Sequence, residues 1–170
     1  MNRDFPASMD RLCKSLTAVV TLLFLGVAAV QVSIWNEVPR LGPAIVIGFL
    51  AATWLLSFVL RPQGYRLTHT ELIVCRTWSA VRIQRSDILR IEPVSKADLR
   101  GSIRLFGVGG LFGYYGRFAN RALGSMTWYA THRNGGLLVR TSNGKKILIT
   151  PDDPEALLQA WEGSDVRSVF

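Results

Sequence analysis

The residues of this 170-residue chain that could carry acid–base, nucleophilic or metal chemistry are few. His69 and His132 stand in turn-like contexts, and neither has a second ligand three or four residues away, so no metal site is expected. No G-x-S-x-G nucleophile elbow occurs. Asp152-Asp153 is the only adjacent carboxylate pair, and Pro154 follows it at a helix start, so capping explains it more simply than catalysis. Asp87 and Glu92 fall on a strand-like stretch beside arginines that can pair with them. Gly107-Val108-Gly109-Gly110 lacks the Lys-Ser/Thr of a nucleotide-binding loop and does not open a helix. The chain is therefore expected to have no catalytic residues and no cofactor.

One stretch has unusual chemistry of another kind. Val94–Ser125 holds seven of the 15 glycines, interleaved with aromatic rings and arginines. Arg104, Phe106, Phe112, Tyr114, Tyr115, Arg117 and Arg121 are the candidate ligand-contact or membrane-contact residues. Rings beside arginines suit a bilayer interface or a ligand rim. The competing reading is structural: a hairpin of Ile103–Phe106 against Leu111–Phe118 that packs its aromatics on the domain or on the anchor.

These residues must be positioned by two kinds of element. Mean hydropathy is +0.23, with 20 basic and 12 acidic residues, but the charges are unevenly spread. Ser15–Asn36 and Leu41–Leu60 carry none. At about 1.5 Å per residue, roughly 20 helical residues cross a hydrocarbon core of about 30 Å. In lipid the backbone must satisfy its own hydrogen bonds, which makes each span a helix. A cleaved signal peptide fits less well, because the first span exceeds the usual apolar core of about 7–15 residues and a second span follows at once. Asn36–Arg40 is too short to recross a bilayer, so 16–35 and 41–60 are expected to form an antiparallel transmembrane hairpin. Arg3, Arg11 and Lys14 precede it and Arg61 and Arg66 follow, against Arg40 alone in the loop. The positive-inside rule places both termini in the cytoplasm. In that reducing compartment Cys13 and Cys75 are expected to stay unpaired, with Cys13 a juxtamembrane thiol open to acylation.

Residues 1–15 then form a cytoplasmic N-terminal segment, 61–163 one domain, and 164–170 a tail. In the domain, seven short runs read as strands: Gly64–Leu67, Leu72–Arg76, Val81–Gln84, Ile88–Pro93, Met126–Thr131, Leu137–Thr141 and Lys146–Thr150. Asn134-Gly135 and Asn143-Gly144 favour tight hairpins between the last three, which predicts an antiparallel meander. Leu157, Leu158 and Trp161 then share one helical face, behind a capping Asp152 or Asp153.

Leu105–Phe118 (LFGVGGLFGYYGRF), Met126–Ala130 (MTWYA), Gly144–Thr150 (GKKILIT), Pro151-Asp152-Asp153-Pro154 and the opening Tyr65-Arg66-Leu67-Thr68 together resemble bacterial pleckstrin-homology-like domain proteins. The resemblance runs from about Arg61 to Trp161. It implies an α+β membrane protein, a two-helix transmembrane hairpin followed by a PH-like seven-stranded antiparallel half-barrel capped by a C-terminal helix. It imports architecture and little mechanism.

Charge adds direction. Arg61–Pro151 has 15 basic and 4 acidic residues, and Asp152–Phe170 has 1 basic and 5 acidic. A basic sheet tethered inside a bacterial inner membrane meets anionic headgroups, each nearby Lys or Arg contributing about 1 kcal/mol. The expected function is a membrane-anchored binding module. Its partners are the lipid bilayer with its anionic headgroups, a protein, or a second copy; nucleic acid is not expected, since no such motif occurs. The alternatives are a structural subunit of a membrane complex, with Gly26 and Gly48 at a helix interface, or a small enzyme acting at the interface.

Overall fold

A computed structural model describes residues 2–165. The expected tail over 164–170 therefore lies outside the described residues, except for its first two positions.

Both uncharged runs are helices. Asp10 caps the first, its carboxylate accepting from the Cys13 N–H at 2.7 Å. That sets the start of α1 (Arg11–Ser33) a turn earlier than charge alone implied. A short turn containing Pro39 leads into α2 (Leu41–Val59), with Pro43 in its first turn. The helices lie against each other, joined by a hydrogen bond from Trp54 Nε1 to Thr21 Oγ1 at 3.0 Å. Leu22, Leu23, Ile45 and Phe49 all point outward and are more than 60% exposed.

The β region departs from the expected half-barrel in strand count and pairing. Ten strands occur among the described residues, in two sheets. The first sheet has the order β1 (Arg3–Pro6), β2 (Pro62–Leu67), β3 (Glu71–Arg76), β4 (Ala80–Gln84). The second runs β5 (Ile88–Ser95), β9 (Gly135–Thr141), β10 (Lys146–Ile149), β8 (Gly124–Ala130), β7 (Tyr114–Asn120), β6 (Ile103–Gly109). The seven runs expected as strands are all present. The three others are β1 and the hairpin β6–β7.

Two pairings correct the sequence reading. The stretch before the helices is part of the fold: β1 pairs antiparallel with β2, Arg3 opposite Leu67 and Phe5 opposite Tyr65. Phe5 is buried in the core for this reason. The expected meander is also broken. β9 and β10 form the Asn143-Gly144 hairpin, but β8 pairs with β10 in parallel, Trp128 opposite Leu148. After Asn134-Gly135 the chain crosses over to pair β9 with β5.

The central strands of the six-stranded sheet are packed on both faces. Leu137, Val139, Ile147 and Ile149 meet Tyr65, Leu72 and Val74 of the first sheet. The closing helix α3 (Pro154–Asp165) adds Leu157 and Trp161 to this core. Alternate residues Leu138 and Leu148 face the other way, with Trp128, Phe118, Tyr114, Leu99 and Cys13. Phe118 and Trp128 stack there at 4.3 Å. The two aspartates divide their work. Asp153 caps α3 through the Ala156 N–H at 2.9 Å. Asp152 accepts from the Ser8 N–H and hydroxyl at 2.7 and 2.8 Å, tying down the chain between β1 and α1.

Candidate functional site

The core of the glycine–aromatic stretch forms β6, β7 and the loop between them, and its seven candidate residues go to four different places. In the hairpin Gly107 and Gly116 face each other at positive φ, +106° and +122°. A Cβ on either would run into the opposite backbone, so the pair sets how closely the strands approach.

Phe112, Tyr114 and Tyr115 turn inward and are at least nine-tenths buried. Phe112 enters the crook at the foot of the two helices. Its ring stands edge-on to Trp54 at 5.1 Å and to Phe58 at 5.4 Å, and its N–H donates to Thr17 Oγ1 at 2.9 Å. Thr17 Oγ1 in turn donates to the Gly110 carbonyl at 3.3 Å. The Cys13 thiol donates to that same carbonyl, also at 3.3 Å, and is fully buried, so the thiol expected to be open to acylation is covered. Gly110, at φ +123°, lies so close to Leu16 that a Cβ there would collide with its side chain. Tyr115 donates to the Ser57 carbonyl of α2 at 2.5 Å, and burial pushes its hydroxyl up to about 12. Arg61 completes the junction, its guanidinium 4.4 Å above the Phe58 ring. The loop thus grips both helices through rings and hydrogen bonds. All three aromatics pack within the protein.

Arg104 and Phe106 lie on the exposed edge strand β6, Phe106 at 78% exposure beside exposed Ile103 and Leu105. The Arg104 side chain passes over Gly109. Arg117 faces a cleft of about 380 Å³ between the sheets with Arg82, Lys145 and Asp87. Arg121 is exposed in the turn after β7. These residues do not converge on one site.

The residues with catalytic potential are dispersed too. Glu92 is held by Arg90 and Arg140. His132 lines a separate cleft with Asp152 and Glu155; burial lowers its pKa, and its Nδ1 accepts from the Asn134 N–H at 3.4 Å, as a neutral ring does. Among the described residues no group of three His, Cys, Asp or Glu side chains is placed to hold a metal.

Sequence reasoning missed Trp78, at the tip of the β3–β4 hairpin and 84% exposed. Its neighbour Thr77 donates to the Phe58 carbonyl at 3.2 Å, so the tip of this hairpin sits beside the end of α2. The signal was a lone tryptophan between Thr77 and Ser79 in a tight turn, the kind of amphipathic ring found at membrane interfaces.

Two facing sheets closed by a C-terminal helix, and carried on a pair of apolar helices, make a PH-like fold. The bacterial PH domain family model matches residues 63–164, so the chain belongs to that family. No curated protein and no solved structure matches the chain.

Proposed function

We propose that the protein is a membrane-anchored PH-type binding module that acts by contact and not by catalysis. Its helices cross a bacterial inner membrane as a hairpin, and the domain sits on the cytoplasmic leaflet with both termini. The observation that carries this reading is the double attachment of the domain to the helices. β1 and β2, which flank the hairpin, are neighbours in one sheet, and the Phe112 loop fills the crook of the helices. A domain held this way cannot swing away from the bilayer surface. Outward-facing apolar side chains on both helices, and candidate spanning windows that are not packed inside the protein, support the crossing. The basic flanks support the orientation.

The test is alkaline carbonate extraction of membranes containing the full chain. The chain stays in the pellet if the helices cross, and its release to the supernatant overturns the reading. A second reading, contact with a protein partner or a second copy, is favoured by β6. This edge strand is unpaired on its outer side and exposes Ile103, Leu105 and Phe106. Cross-linking from a reactive group at Phe106 in a mild detergent tests it, and adducts containing only lipid count against it.

A further inference from the structure

At the foot of α1 lies a cleft of about 1120 Å³ that the junction does not use. One wall is the first turn of α1, with Arg11, Leu12 and Lys14. The other is the turn between β5 and β6, with Lys96, Arg100 and Gly101. Arg133 and Asn134 close the end. The walls are fixed to each other, because Leu99 and Cys13, one from each, are buried in the same core. The cleft therefore has five cations and one carboxylate, Asp10, which is engaged as the cap of α1.

Four of the cations, Arg11, Lys14, Lys96 and Arg100, are exposed and make no ion pair among the described residues. The fifth is pinned: Arg133 donates to the Ser102 carbonyl at 3.1 Å and lies over the rings of Tyr114 and Trp128. The Tyr114 hydroxyl is buried and has no hydrogen-bond partner among the described residues. Tyr114 belongs to the core beneath Arg133 and does not line the cleft, whose chemistry is set by the cations that do. Above the cleft, Leu12 and Val19 are exposed seven residues apart, hence on one face of α1.

We propose that this cleft seats the phosphate headgroup of an anionic phospholipid, with its acyl chains running up the Leu12–Val19 face of α1. Cations at the base with an apolar wall above them match an amphiphile with an anionic head. The assignment rests on the anchored reading above, which puts the foot of α1 at the bilayer surface.

The test uses the full chain purified in a mild detergent, titrated with dioleoylphosphatidylglycerol, with dioleoylphosphatidylcholine, or with inorganic phosphate, and read by native mass spectrometry and thermal shift. Phosphatidylglycerol is expected to be retained about tenfold more than phosphatidylcholine. Lys96→Gln with Arg100→Gln is expected to lower that retention by about tenfold or more, since each basic residue near an anionic headgroup contributes about 1 kcal/mol. Arg82→Gln with Lys145→Gln removes the same charge elsewhere and is expected to change retention less than twofold. Equal retention of the two lipids overturns the proposal, as does equal loss in both double variants. Stabilisation by inorganic phosphate matching that by phosphatidylglycerol overturns the lipid assignment in favour of free phosphate. A chain that stays in the carbonate pellet yet shows no lipid preference refutes only the cleft. A chain released by carbonate refutes the anchor.

Discussion

Tyr65 shows how a single side chain joins the two sheets. Its hydroxyl donates to the Tyr129 carbonyl at 2.6 Å and accepts from the Thr150 N–H at 2.8 Å. Burial pushes its pKa up from 10.0 to about 12. A raised folded-state pKa means that the neutral form is the one the fold holds. Its contribution, about 2–3 kcal/mol, is fully present below pH 10 and lost as the pH rises towards 12. Denaturant melts are expected to show falling stability across that window, with an earlier fall from about pH 9 contributed by the Cys13 thiol, which burial pushes up to about 11. Tyr65→Phe removes both hydrogen bonds, is expected to cost about 1–3 kcal/mol in a urea melt, and should flatten part of the alkaline slope. Nothing in the local sequence marked Tyr65 for this role, because both its partners are more than 60 residues away.

The elements were legible in proportion to how local their causes are. Both helices follow from uncharged length, and the seven strands from strand-forming composition, alternation in Val81–Gln84 and Ile88–Pro93, and the turn residues between them. β1 escaped because Arg3-Asp4-Phe5-Pro6 is short and polar, and its partner arrives only after both helices. The parallel pairing of β8 with β10 escaped because Asn134-Gly135 says that the chain turns, not which strand it will join. The glycine–aromatic loop was recognisable as unusual, but ring content alone does not reveal which rings face inward. Phe112 and Phe106 are six residues apart with opposite fates. Phe112→Ala is expected to lower stability by about 3 kcal/mol in a detergent thermal melt. It should also open the junction, read as faster proteolysis between α2 and β2. Phe106→Ala, on the exposed edge, is expected to leave both measurements unchanged.

At the scale of the whole molecule, the basic balance, the apolar helices and the double attachment support one geometry. A reporter fused after Phe170 and a thiol probe introduced at Asn2 are expected to give the same sidedness, both cytoplasmic. Labelling of the two ends from opposite sides would break the hairpin reading. Deleting residues 2–8 removes β1 and the Ser8 tie to Asp152, and bares the edge of β2. That variant is expected to melt lower and to aggregate sooner on heating, while α1 and α2 still pellet with membranes. The pairing of β1 with β2 also dictates an order of events during synthesis. The first strand leaves the ribosome long before its neighbour exists, and both apolar helices must be made in between. Arg3–Pro6 therefore waits, unpartnered, until the helix pair has brought Pro62–Leu67 back beside it. On the proposed anchored reading, completion of the first sheet would report that both segments had entered the bilayer together.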